Sequence, residues 1–355
     1  MIFGLLVVTV FTLIVAMVAK RLSTSLLTAP MIFIAFGFLL SKLELFDHEG
    51  AEEALHLVAE VALILLLFLD AAKINVGALR RDHAWPVRML SLGLPLAIIL
   101  GTAAAWLFLP GWSFVALALL ASILAPTDAA LGEAVISNPA VPEQARRALT
   151  VESGINDGLA LPAVLLFASL TALTAEPDTA NWLLFGGKQL VLGPVVGTVA
   201  GLVGGTILVY AHSHHYSSAP YEGIGVIALA GAAYLGATLI GGNGFIAAFV
   251  AGLCFGYVVK GGCKFVYEFT ESEGQLLSWG AFFLIGLALV PEAINHLTWP
   301  VLAMILVSLF LVRPIAIWIS LIGTDASTST RLFFGWFGPR GLATALFALL
   351  VAKQI

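Results

Sequence analysis

Apolar residues run along this chain in long blocks, such as Val87–Leu109, Leu183–Tyr210 and Trp299–Ile322, each long enough to cross a hydrocarbon layer about 30 Å thick. Lipid offers no partner to a bare peptide group, so such blocks must be helices, broken only where protein or water covers the break. The pattern predicts twelve spans, at 3–19, 25–41, 54–72, 86–109, 112–137, 145–172, 182–210, 222–240, 244–260, 276–292, 298–322 and 333–352. Composition agrees: 60% of the 355 residues are apolar and only 10% charged, whereas roughly a quarter of a soluble domain is charged. The expected fold class is therefore an all-α polytopic membrane protein.

Charge placement tests the count independently, because Lys and Arg gather in cytoplasmic loops. Lys20 and Arg21, then Lys73, Arg80 and Arg81, then Arg146 and Arg147, then Lys260 and Lys264, and finally Arg331 all fall in odd-numbered connections. The even-numbered ones carry mainly Lys42 as a positive charge and collect Glu44, Asp47, Glu49, Glu52, Glu53, Glu176 and Asp178. This alternation puts the N-terminus outside. Met1–Val18 has no basic flank before it and Lys20-Arg21 behind it, which reads as a retained first span rather than a cleaved leader. Cys254 and Cys263 are too few for a disulfide scaffold and lack metal-ligand spacing. A net charge of -5, without a basic stripe, gives no reason to expect a nucleic-acid partner.

Candidate chemistry begins where polar groups interrupt the apolar blocks. Within span 5 lies Ala121-Ser-Ile-Leu-Ala-Pro-Thr-Asp-Ala-Ala130. Pro126 removes an amide donor there, and Thr127 and Asp128 add polar groups at membrane depth. A helix broken at this point presents backbone ends together with a hydroxyl and a carboxylate, which is how ion sites form in secondary transporters. The second segment is Thr150-Val-Glu-Ser-Gly-Ile-Asn-Asp-Gly158, which opens into the apolar run Leu159–Leu173. Glu152 and Asn156, four apart, share a helix face, while Asp157 points about 100° away from Asn156 and can face a different neighbour.

A carboxylate of this kind holds either a proton or a monovalent cation, and competition for it couples two fluxes when the site opens to one side at a time. Asp157 is the expected exchange group; Asp128 is the second acid expected to hold the transported cation. If Asp128 and Glu152 keep their protonation states, one proton replaces one cation and no net charge moves. Two intramembrane arginines need partners: Arg313, before Pro314, and Arg340, inside Gly335-Trp-Phe-Gly-Pro-Arg-Gly341. Arg313 is the better candidate to neutralise Glu152, with Arg340 the competing choice. The Pro126 and Pro339 breaks read as counterparts in an inverted repeat, with Asp128 offsetting amide ends and Arg340 carbonyl ends. Lesser signals are the loop histidines His212, His214 and His215, Glu133 facing an inner vestibule, Asn243 as a cap, and Asp70, which reads as a surface partner of Lys73.

At these residues the chain resembles the bacterial and archaeal sodium/proton antiporters of the monovalent cation:proton antiporter-1 family, the group that includes the animal sodium/proton exchangers. The resemblance is carried by Ala125-Pro-Thr-Asp128, Glu152-Ser-Gly-Ile-Asn-Asp157, Gly241-Gly-Asn-Gly-Phe-Ile-Ala-Ala-Phe-Val-Ala-Gly252, Arg313-Pro314 and Gly335-Trp-Phe-Gly-Pro-Arg-Gly-Leu-Ala343. It implies an inverted-repeat antiporter fold with crossed discontinuous helices. It further implies Asp157, Asp128, Thr127 and Ser153 as cation and proton ligands, with Asn156, Glu152, Arg313 and Arg340 in support. Electroneutral exchange by an elevator-like cycle follows from the same resemblance, as do a homodimer, a bacterial inner-membrane location with a periplasmic N-terminus, and no cofactor beyond the transported ions.

Residues 86–172 and 298–355 would form the ion-binding core, and 1–85 with 182–292 a dimerisation scaffold. Family members typically have thirteen helices, so a further helix is expected beyond Ile355. Sodium, with lithium, is the expected cation, and potassium/proton exchange is the alternative. A channel would need a continuous path. A membrane enzyme would need nucleophile-base or metal-ligand spacing, which the scattered acids and histidines do not offer.

Overall fold

The structure, a computed structural model, describes residues 2–22, 25, 27–46, 48–74, 84–128, 138, 140–173, 179–259 and 264–352. Glu133, Cys263, Lys260, Arg80 and Arg81 lie outside them, as do the loop acids Asp47, Glu176 and Asp178. In chain order the helices are α1 (Ile2–Leu22), α2 (Ala29–Lys42), α3 (His48–Ala72), α4 (Ala84–Phe108), α5 (Phe114–Leu124), α6 (Glu143–Leu173) and α7 (Thr179–Ser213). They are followed by α8 (Ala219–Leu239), α9 (Gly244–Val259), α10 (264–295), α11 (Trp299–Ser320), α12 (Thr328–Trp336) and α13 (Leu342–Ala352).

Among the described residues, 8 helices are long and apolar enough to cross a bilayer by themselves. The expected spans 2, 5, 9 and 12 are represented by the shorter apolar helices α2, α5, α9 and α13. Two of these shortenings have a visible cause. Helix α5 stops at Leu124, just before Pro126, and the last predicted span divides into α12 and α13 around Gly338-Pro339. Helix starts follow local chemistry: Ser113 caps α5 by accepting from Ala116 N–H at 3.2 Å, Asn243 caps α9 by accepting from Ile246 N–H at 3.0 Å, and Ser327 caps α12 by accepting from Thr330 N–H at 3.1 Å.

Three helices contain a π-helical turn: Met89–Gly93 in α4, Ile285–Leu289 in α10 and Ser308–Val312 in α11. Each turn is followed by one residue and then a proline, Pro95, Pro291 and Pro314. A proline ring inside a helix collides with the carbonyl four residues back and leaves it without a donor. The extra residue in the preceding turn swings that carbonyl aside, and the N–H groups of Leu94, Val290 and Arg313 close the wide turn on Met89, Ile285 and Ser308 carbonyls. The spans thus cross their prolines without stopping.

Buried side chains form one large cluster drawn chiefly from α3, α9, α10, the C-terminal half of α6 and α13, with smaller shares from α1, α2, α5 and α8. Smaller clusters join α4, α5, α11 and α12, with the N-terminal half of α6 packed among them. Helix α9 is central to the large cluster, and glycine lets its neighbours approach backbone to backbone. Cβ atoms at Gly197 and Gly201 of α7 would strike the carbonyls of Ala247 and Ala251, and Cβ atoms at Gly252 and Gly256 would strike those of Phe68 and Ala72 on α3. Because this seam has no slack, Gly252→Leu should destabilise the protein by about 1–3 kcal/mol, the usual cost of overpacking. Thermal unfolding in detergent measures this; a melting temperature equal to that of the parent would disprove the close contact.

Candidate functional site

The two breaks cross each other at the ends of their helices. The backbone N–H of Asp128 donates to the carbonyl of Pro339 at 2.9 Å. On one side of the crossing, Arg340 Nη1 donates to the carbonyls of Ala125 and Pro126 at 3.2 and 3.1 Å, covering the C-terminal end of α5. On the other, Asp128 Oδ2 accepts from the N–H of Leu342 at 3.2 Å, at the first turn of α13. Each charge therefore meets the helix end of opposite polarity. The approach is so close that a Cβ at Gly341 would run into the Asp128 carboxylate, and one at Gly338 into the Arg313 side chain.

Beside the crossing, α6 supplies Glu152, Ser153, Asn156 and Asp157. Glu152 and Arg313 form a buried two-pronged pair, Nη1 to Oε1 at 3.2 Å and Nη2 to Oε2 at 3.3 Å, with side-chain exposures of 5% and 6%. Arg313 Nη2 also donates to the carbonyl of Phe337 at 3.2 Å, tying the pair to the second break. The Thr127 hydroxyl donates to the Glu152 carboxylate at 3.3–3.4 Å. With its proton so used, that hydroxyl accepts from Asn156 Nδ2 at 2.8 Å, and the same amide nitrogen donates to the Thr127 carbonyl at 2.9 Å. Asn156 thus holds the unwound segment open by its backbone. Its Oδ1 is buried with no hydrogen-bond partner in the structure. Such an acceptor costs about 1–3 kcal/mol unless a water, a donor or a cation meets it.

Asp157 stands near the middle of the 31-residue α6 and is only half-buried, whereas its neighbours Asn156 and Gly158 are buried. Ser153 lies buried one turn earlier on the same face. The negative charges that act on Asp157 are those of Asp128, Asp70 and Glu152, in that order. The arrangement therefore brings negative charge to bear on one partly accessible carboxylate, and it pairs off the neighbouring acid Glu152 with Arg313. That is chemistry for holding a small cation or a proton.

The family model described as sodium/hydrogen exchanger, transmembrane, matches residues 6–355 of the chain. The chain belongs to that family. Members of the sodium/hydrogen exchanger family are transporters rather than enzymes, and the crossed, discontinuous helices seen here are the architecture of a polytopic antiporter fold. The chain is similar to the solved sodium proton antiporter MjNhaP1 of Methanocaldococcus jannaschii at pH 8, with a TM-score of 0.81 and 22% identity over 100% of this chain and 88% of that one. Among curated relatives, the K(+)/H(+) antiporter NhaP of Alkalimonas amylolytica is 28% identical over 299 residues, 82% of this chain and 50% of that protein. The K(+)/H(+) antiporter NhaP2 of Shewanella sp. (strain ANA-3) is 28% identical over 343 residues, 94% of this chain and 57% of that protein. The chain spans about half the length of these curated relatives.

All eight residues singled out in the sequence lie in or beside this one region, on α6, on α11 and at the two breaks. Of the two arginines, Arg313 is the one seated against Glu152, and Arg340 sits on the carbonyl end of α5. The sequence reads Asp70 as a surface partner of Lys73 and does not show its nearness to Asp157. Asp70 is half-buried at the end of α3, its backbone carbonyl 3.4 Å from where a Cβ at Gly154 of α6 would stand, and its charge reaches Asp157. An ionisable group so near a membrane span was the available signal. Away from the site, His212 Nδ1 lies 2.9 Å from Oε1 of the buried Glu222, and the His214 ring packs tilted against Tyr210.

Removing one partner of a buried ion pair strands the other charge, at a cost of about 3–5 kcal/mol, while replacing both by apolar groups is far milder. Arg313→Met should therefore lower the unfolding temperature sharply, and adding Glu152→Met should restore much of it. A double variant as unstable as the sum of the two singles, read by thermal unfolding in detergent, would show that the pair is not coupled.

Proposed function

We propose that this protein exchanges a monovalent cation for a proton across the membrane, one for one, by competition at Asp157. The observation that carries the reading is the contrast between two carboxylates five residues apart on α6. Glu152 is buried and gripped by Arg313, Thr127 and the arginine's tie to Phe337, so its charge is committed. Asp157 is half-buried and surrounded by further acids. A carboxylate that is reachable yet poorly solvated can trade a proton for a cation, and it cannot hold both. Asp128, Thr127 and Ser153 would complete the oxygen ligands.

Under this reading Asp128 and Arg340 stay charged to serve the helix ends, so each cycle moves one positive charge in each direction. The exchange is then electroneutral. Alternating access would come from residues 86–172 and 298–355 moving as a core against a scaffold of 1–85 and 182–292, the scaffold pairing two copies in the bacterial inner membrane with the N-terminus outward. Sodium and lithium fit the oxygen-ligand site. Potassium is the second reading, and the relatives named as K(+)/H(+) antiporters favour it.

Reconstituted in liposomes carrying a pH-sensitive dye inside, the protein should move protons when sodium, lithium or potassium is added, and Asp157→Asn should abolish that movement. Full exchange in the variant would remove Asp157 from the mechanism. One net charge per cycle would add about 2.3 kcal/mol of driving force for each 100 mV, so a voltage clamped at different values should leave the exchange equilibrium unmoved. A shift of that size with voltage would rule out the one-for-one stoichiometry.

A further inference from the structure

The helix that carries Asp157 is more exposed on the N-terminal side of that residue than on the C-terminal side. Along the Asp157 face of α6, Thr150 is exposed and Gly154 and Asp157 are half-buried. One turn further on, Ala160 and Leu161 are at 0% exposure, and so is Val164. In a straight helix these positions lie on one stripe. Ser153, one turn before Asp157 on the same face, is itself buried at 8% exposure, so the accessible strip narrows to Gly154 and Asp157 and is sealed past Gly158.

What lies on Gly158 is the ring of Phe249. A Cβ at Gly158 would collide with Cδ2, Cε2 and Cζ of that ring, so the phenyl rests directly on the Cα beside Asp157. Phe249 is itself only 5% exposed and belongs to the same buried cluster as Leu161, Val164, Leu165 and Phe347. Its helix, α9, has little freedom to yield. Gly252, three residues later, seats α9 on the α3 backbone at Phe68, and the α7 glycines seat its other face at Ala247 and Ala251. A rigid helix thus presses an apolar ring against the one glycine that adjoins the exchange carboxylate. A phenyl ring offers no oxygen to a cation and no relay to a proton. Any side chain larger than hydrogen at residue 158 would displace it.

We propose that Phe249 is the gate that closes the cation site toward the C-terminal end of α6, so that Asp157 communicates only with the N-terminal side in this conformation. This rests on reading Asp157 as the exchange group. Opening to the opposite side then requires Gly158 to slide out from under the ring, and the absence of a side chain at 158 lets it do so without a collision. Coupling depends on the seal: an Asp157 reachable from both sides at once would pass protons with no cation in return.

Two measurements test the gate. In liposomes containing choline as the sole cation, with a permeant anion to remove the voltage, the parent protein should hold an imposed pH gradient. Phe249→Ala should dissipate it severalfold faster, and Phe249→Leu, which keeps the bulk, should restore tightness. Separately, Ala160→Cys, in a chain whose two native cysteines are replaced by serine, should resist a membrane-impermeant thiol reagent applied to the α6 C-terminal side. Adding Phe249→Ala should make it react. A Phe249→Ala protein that exchanges cations with no leak overturns the proposal, as does free labelling of Ala160→Cys behind an intact Phe249. A parent protein that exchanges no cation would instead defeat the proposed function, and the labelling result would still decide whether the seal exists.

Discussion

Breaking α5 after Leu124 and the last span after Trp336 leaves carbonyls and amides at a depth where water is scarce, and each would cost several kcal/mol if left bare. Two side chains of opposite charge meet that cost: Arg340 lies on the carbonyls of Ala125 and Pro126, and Asp128 on the amide of Leu342. Each break is satisfied from the other. Neither could exist alone, so the crossing is a single cooperative unit although its halves lie more than two hundred residues apart, with a sequence separation of 214 between Asp128 and Leu342. The glycines at 338 and 341 follow from the same constraint, because the chains approach until no Cβ fits.

The crossing also commits Glu152 to a buried network. Thr127, held in the unwound segment, donates a hydrogen bond to Glu152 and accepts one from Asn156, and Arg313 grips Glu152 while reaching to Phe337. Every link in that chain is directional, and all but the part-buried one to Phe337 are buried, which makes it a frame rather than a switch. Asp157 is next to the frame in sequence and turned away from it by the helix pitch. Its partial exposure and the acids around it are consequences of where the frame stops.

The surrounding helices meet this frame in two ways. On one side α4 and α11 accommodate prolines through π turns, so that Arg313 enters the site from a helix that is continuous despite Pro314. On the other side α3, α7 and α9 pack through glycine with their backbones nearly touching, and they offer α6 a hard, apolar wall with Asp70 at one level and Phe249 at the next. A polar level and an apolar one thus adjoin at Asp157 and Gly158.

Hydropathy alone announced a bundle of membrane helices, because a lipid solvent forbids any other use of so many apolar blocks. Local chemistry announced the two breaks as well, since Pro126-Thr127-Asp128 and Gly338-Pro339-Arg340-Gly341 are incompatible with an uninterrupted span. The π turns were equally local in origin, but the pattern of proline within an apolar block does not say whether a helix will break or widen; packing around it chooses. Partner choice was only partly legible: the sequence favoured Arg313 over Arg340 for Glu152, but Glu152 and Arg313 are 161 positions apart and the contact itself is made only when the helices are stacked. Asp70 and Phe249 stayed hidden for the same reason: the first reads as a span-end charge and the second as ordinary apolar filling, and only the close seating of α3 and α9 against α6 brings them to Asp157. Solvent compatibility is written residue by residue along a chain, whereas proximity between distant residues is set by how whole helices fit.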